Sequence, residues 1–176
     1  MLASVSVLGL VAASVAQAPG EDHGTMLFRS NVGSFKMAGS DQRPAEGRVE
    51  FTFTGTVLVI GDPKVEVTGN VRSEYNNREY KRQVYNGSGK IVVDGKFEAI
   101  QFFGRNVSGT WKGWGLVRFY GEFDKDLNTG DYWYPDKPNE KFPWGNYGST
   151  AFNPRQVDAM QQNQPKPVVV PPKKKG

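Results

Sequence analysis

The sequence predicts an all-β domain, a mostly antiparallel meander that builds a sandwich or a barrel. Three observations predict it. Apolar and polar residues alternate with period two through the body of the chain, as in Val49-Glu50-Phe51-Thr52-Phe53-Thr54 and onward to Val57, Val59, Val65 and Val67. Asn86-Gly87 and Asp94-Gly95 stand between apolar runs and tolerate the positive φ of tight hairpins. No stretch of the body carries apolar residues at the 3.6-residue spacing of an amphipathic helix. A short β-solenoid is the alternative, because glycines recur at 55, 61, 69, 87, 89, 95, 104, 109, 113, 115 and 121, some of them six apart. The other gaps are irregular, so Gly104, Gly109, Gly113 and Gly115 read as bulges or bends.

Taken from the N-terminus, residues 1–18 read as a signal peptide or hydrophobic leader. They carry no charge, and the apolar run from Val5 to Val15 is shorter than the roughly 20 residues of a spanning helix. Ser14-Val15-Ala16 and Ala16-Gln17-Ala18 both have the small-residue pattern of a cleavage site. The first is favoured, because Pro19 lies just past the second. No Lys or Arg precedes the run, a departure from the secretory pattern. A cleaved leader places the protein in a secreted, periplasmic or extracellular location, with no transmembrane span in the mature chain. A retained leader acts instead as a membrane anchor.

Residues 19–47 are polar and small and read as a linker, with one short strand at Met26-Leu27-Phe28. The β domain is assigned to 48–154. Within it Asn76-Asn77 turns a hairpin with arms at 70–75 and 78–85, a strand runs over 97–103, and a long strand at 116–124 pairs with 131–134. The expected total is eight to ten strands. Three prolines between Pro135 and Pro143 remove ladder donors, so 135–150 reads as a long loop anchored by Phe142, Trp144 and Tyr147. Residues 155–176 read as a disordered Gln-, Pro- and Lys-rich tail.

Composition excludes several chemistries. The 176 residues hold no Cys and one His, which removes disulfides, thiolate nucleophiles, Cys-ligated zinc and any site needing two imidazoles. The 22 Lys and Arg against 18 Asp and Glu give +4, and Lys166, Lys173, Lys174 and Lys175 of the tail account for that excess. Nucleic acid is therefore not expected as a partner. Arg72, Arg78, Lys81 and Arg82 interleave with Tyr75, Tyr80 and Tyr85, but Glu74 and Glu79 in the same hairpin weaken the local field. Asn86 and Asn106 each begin an N-glycosylation acceptor pattern.

Two patterns point toward ligands. Eleven aromatic residues lie between Trp111 and Tyr147. Flat side chains with a polar edge suit stacking on sugar rings, because they give large rigid area at low entropic cost. Trp133 and Trp144 are expected as exposed platforms, with Trp111 and Trp114 as further ligand-binding candidates. Separately, Asp124, Asp126, Asn128 and Asp131 place oxygens at alternate positions, as a Ca²⁺ loop does. The EF-hand register fails, since Thr129 holds the glycine position and Pro135 the twelfth. No other cofactor is indicated. The sequence thus reads as a non-catalytic binding or structural module of the cell envelope, contacting polysaccharide or an anionic envelope polymer through exposed aromatics. One alternative is a polysaccharide hydrolase using paired carboxylates from among Glu98, Glu122, Asp124 and Asp131. The other is a carrier of a small apolar ligand.

Overall fold

The computed structural model describes residues 23–121, 129–145 and 147–155, and those residues form eight β-strands and no helix. The strands are β1 (Gly24–Ala38), β2 (Ala45–Ile60), β3 (Lys64–Asn77), β4 (Arg82–Phe97), β5 (Ala99–Tyr120), β6 (Gly130–Trp133), β7 (Phe142–Pro143) and β8 (Ser149–Asn153). They make one antiparallel sheet in the order β3-β4-β2-β5-β1-β6-β7, with β8 beside β5, and the sheet does not close into a barrel. No helix among the described residues is long and apolar enough to cross a membrane.

The sheet is folded over on itself. Along the β2–β4 ladder Ala45 lies opposite Phe97 and Ile60 opposite Arg82, so the ends of β2 would be far apart on a flat sheet. Yet the N–H of Glu98, one residue beyond Phe97, donates to the carbonyl of Ile60 at 2.8 Å. The fold line is a row of glycines in cross-strand register: Gly33 opposite Gly104, Gly104 opposite Gly55, and Gly55 opposite Gly87. Gly55 shows why the row carries no side chains. Its φ is +148°, and a Cβ there would come within 2.2 Å of the Phe103 carbonyl oxygen. The alternation of the sequence survives the bend: Val49, Phe51, Phe53, Val57 and Val59 all face inward at 2% exposure or less, and Gly55 takes the inward position between them.

Rings from the two halves meet inside. Phe35 lies 5.4 Å from both Phe51 and Phe102, and Phe28 lies 5.2 Å from Phe35. Each ring buried this way contributes roughly 1.5–3 kcal/mol, so such a core stands without disulfides. The last strands cover the open flank. Residues 116–120 of β5 lie opposite 34–38 of β1, and β6 continues along the same edge of β1, with Gly130 opposite Ser30 and Trp133 opposite Leu27.

Several expectations are corrected. The stretch read as a linker, 19–47, contains all of β1 and the start of β2. Its apolar phase shifts at the bend, from Met26 and Phe28 to Phe35 and Met37, and that shift hides the alternation. Asn86-Gly87 and Asp94-Gly95 are not hairpin turns but lie within β4, where Gly87 and Gly95 have φ of +142° and +114°. The same dihedral freedom serves a bend within a strand. The segment at 131–134 does not pair with 116–120, since both β6 and the end of β5 follow β1, and 122–124 lie outside the described residues. The 135–150 loop includes β7 and the first residues of β8. One folded sheet replaces the solenoid alternative. The count of eight strands agrees with the sequence reading, and a hairpin does join β3 to β4, but Asn76 and Asn77 pair with Gln83 and Arg82 at the end of β3 and the turn is made by residues 78–81.

Candidate functional site

Pleating sorts the aromatic candidates. Trp144 is 2% exposed, stacked on Phe119 at 4.7 Å and edge-on to Phe35 at 6.4 Å. Its ring lies against Gly33 on the fold line, so the expected platform at Trp144 is a core residue. Trp111 is fully buried, 6.2 Å from Phe97, and its indole N–H donates to the Glu46 carbonyl at 3.2 Å. It too is no ligand platform. Trp114 is half-buried, with the Arg43 guanidinium 4.2 Å above its ring. Arg43 also holds Glu46, whose carboxyl is kept below its ordinary range chiefly by that hydrogen bond. Beside Trp114 a groove of about 260 Å³ is lined by Leu116, Phe152 and Pro154.

Trp133, like Trp114, is half-buried on an outward position, and it lies on the larger of the two grooves. β6 places it beside Leu27, and the pleat of β1, β5, β2 and β4 sets further outward side chains in rows beyond it. One row runs Trp133, Leu27, Thr110, Glu50; the next runs Asp131, Arg29, Ser108, Thr52, Lys90. Arg48 and Lys112 face each other in a third. All of these except Asp131 and Arg29 line a groove of about 580 Å³. A second groove, of about 540 Å³, adjoins it at Ser108 and is lined by Arg29, Asn31, Asn106 and Asp131.

The electrostatics of this face are basic. Arg48, Lys90 and Lys112 line the main groove against the single carboxylate of Glu50. Glu50 accepts from Lys90 and from Arg48, and the Lys90 contact first, then the neighbouring cations, hold its carboxyl below the ordinary range. Arg48 also reaches Asp94 at 3.4 Å. The Trp133 ring has the Arg29 guanidinium at 5.8 Å and the Lys141 ammonium at 5.4 Å. Arg29 lies 3.5 Å from Asp131. The arrangement offers an aromatic surface edged by cations, with the hydroxyls of Thr52, Ser108 and Thr110 alongside.

The other candidates fall elsewhere. Asp124, Asp126 and Asn128 lie outside the described residues, as does Glu122; of the proposed calcium ligands only Asp131 is described. Among the described residues no three His, Asp or Glu side chains gather as a metal site. Glu98 is exposed on the one-residue turn between β4 and β5, near Lys81, and Asp131 sits across the sheet on β6 beside Arg29. The structure does not bring these two carboxylates together. His23 contacts Glu46 at 3.2 Å. Tyr85 of the basic hairpin is buried, whereas Tyr75 and Tyr80 are exposed.

Sequence reasoning missed most of the groove. Arg29, Arg48, Lys90, Lys112 and Lys141 come from five separate strands and loops. The usable signal is the polar half of the alternation, Arg48-x-Glu50-x-Thr52 and Ser108-x-Thr110-x-Lys112, which pleating must place on one face. Comparison with protein-family models, with curated proteins and with solved structures gave no match to this chain.

Proposed function

We propose that this chain is a non-catalytic polysaccharide-binding module, exported by its uncharged leader, and that the face around Trp133 is its binding surface. The observation that carries the proposal is the placement of Trp133: a half-buried indole on an outward sheet position, with two cations near its ring, at the end of a groove of about 580 Å³. A groove of this size is in the range of small-ligand sites and holds a few sugar rings. A pyranose ring stacks on the indole, hydroxyl groups meet Thr52, Ser108 and Thr110, and carboxylates on the sugar meet Lys112, Arg48 and Lys90. The cation excess favours an acidic polysaccharide over a neutral one. The carrier reading finds no support in the described interior, which is filled by packed phenylalanine rings.

The test is affinity electrophoresis through gels containing polygalacturonate or alginate, with hydroxyethyl cellulose as the neutral comparison. The wild-type chain is retarded most by the acidic polymers, and less as salt rises. Trp133→Ala and Lys112→Ala each weaken retardation about tenfold, the size expected for one lost stacking or charge contact. Their melting temperatures stay close to wild type. Equal retardation of Trp133→Ala and wild type overturns the assignment of this face.

A further inference from the structure

We propose that two copies of this chain pair edge to edge through β3, antiparallel about a two-fold axis at Gly69. This inference rests on the outer strand of the sheet and is independent of the polysaccharide reading. β3 is 14 residues long and pairs with β4 on one side only; among the described residues nothing pairs with its other side. Its apolar residues Val65, Val67 and Val71 turn inward against the core, so the edge offers backbone N–H and C=O groups framed by exposed charges.

The charges select the partner. Lys64, Glu66, Arg72 and Glu74 read plus, minus, plus, minus on either side of Gly69. Reversed and laid against itself about Gly69, the strand sets Glu66 opposite Arg72 twice by symmetry and brings Lys64 to the bulge at Glu74. Opposite charges across a strand pair stabilise it and like charges oppose it. Every nearby alternative meets a conflict. Sliding two residues one way sets Lys64 opposite Arg72, and sliding the other way sets Glu66 opposite Glu74. A parallel, in-register pair stacks each charge on itself. An edge protected merely by charge would need no such complementarity, and a run of one sign would protect it better. Within the chain Glu66 pairs with Lys64, while Arg72 and Glu74 make no ion pair among the described residues.

The backbone also fits. Gly69, with φ +89°, carries no side chain at the axis. It lies opposite Gly89 of β4, close to the fold line at Gly87. A two-fold axis normal to the sheet preserves the direction of a bend, so both copies keep their curvature across the joint. The interface is isologous and closes as a dimer, leaving no new edge at the joint.

Sedimentation equilibrium of the full chain tests it together with charge exchange. The wild type forms a dimer. Glu66→Arg or Arg72→Glu alone places like charges opposite each other at two symmetry-related positions and weakens dimerisation about tenfold or more. The double exchange Glu66→Arg with Arg72→Glu restores it to within about threefold. Circular dichroism and melting of each variant report that the monomer fold is kept. The chain has no cysteine, so a second readout is clean. Thr68 faces Asn70 of the other copy, so a mixture of Thr68→Cys and Asn70→Cys chains crosslinks in a glutathione buffer, whereas neither variant alone does so comparably. A wild-type monomer at all accessible concentrations overturns the proposal. So does a dimer indifferent to the single exchanges, or a crosslink that forms equally without mixing.

Discussion

The glycine row makes the sharpest prediction about the fold. Gly55→Ala adds one methyl group at the bend. Two costs follow, and the structure separates them. The first is dihedral: φ of +148° is a conformation that L side chains adopt only under strain, at about 1–3 kcal/mol. The second is steric. The new Cβ would stand 2.2 Å from the Phe103 carbonyl oxygen and 2.8 Å from the Cα of Gly104, both backbone atoms of β5. Relief requires the β2–β5 ladder to open by about 1 Å, an overpacking of the kind that costs about 1–3 kcal/mol. Gly95→Ala isolates the first cost. Its φ is +114°, but the nearest atom to its Cβ is Pro63 Cα at 3.9 Å, an ordinary contact. Urea unfolding of the two variants at a shared slope measures both. Gly55→Ala exceeds Gly95→Ala by about 1–3 kcal/mol, a difference in midpoint of about 1 M. Equal destabilisation, or a larger loss in Gly95→Ala, refutes the claim that close strand approach, rather than dihedral preference alone, puts glycine at the bend.

Two further outcomes follow from the core. Trp144→Ala lowers stability by about 3–5 kcal/mol in the same urea experiment, because a ring stacked at 4.7 Å on Phe119 is replaced by a void. Trp144→Phe costs less than half as much, since the indole N–H has no hydrogen-bond partner among the described residues and nothing is left unpaired by its removal. The buried Tyr134 hydroxyl donates to the Phe152 carbonyl at 2.6 Å, and burial, more than its neighbours, pushes its pKa far above the usual 10.0. A raised folded-state pKa means that this stabilisation is complete below pH 10 and is lost as pH rises toward the folded value. Melting curves in alkaline buffers therefore fall above pH 10. Tyr134→Phe flattens that fall and costs about 1 kcal/mol at neutral pH.

What the sequence disclosed depended on whether the information was local. The phase of Val49, Phe51, Phe53, Val57 and Val59 is local, and it names the inward face of β2 across the bend without error. The direction of the chain at a glycine is not local. Gly87 satisfies the requirement of a hairpin turn and of a strand crossing a fold line equally well, and only the partners on either side, Gly55 and Val71, decide between them. β1 was read only at Met26-Leu27-Phe28 for a related reason. Gly33 sits at the fold line, the apolar phase changes across it, and each half alone is too short to declare a period. Asymmetry of the same kind governs the tryptophans. Consecutive residues on β6 point to opposite faces, so Trp133 had to differ from Tyr132 and Tyr134, and the structure buries the two tyrosines. For Trp144 no strand pattern was available, because prolines break the ladder around it.

The fold itself explains why the aromatic residues concentrate near the C-terminus. A sheet folded along glycines has a weak point: the row lacks side chains, so the bend alone cannot fill the space beneath it. Phe28, Phe35, Phe51 and Phe102 fill it from the strands, and the flank beyond β1 must be closed by whatever chain comes last. The described residues of 129–153 do this with Tyr132 and Trp144 stacked on Phe119, Phe142 stacked on Tyr132, and Tyr134 edge-on to Tyr132. Their number answers a packing demand and is not in itself a sign of a ligand. Trp133 escapes that explanation. It faces away from the space being filled, toward a row of hydroxyl and cationic side chains that the core does not use, and a large apolar ring there adds nothing to the closure of the fold. That residue, like the half-buried Trp114 on its own groove and unlike the buried Trp111 and Trp144, has to be accounted for by what meets the outer face.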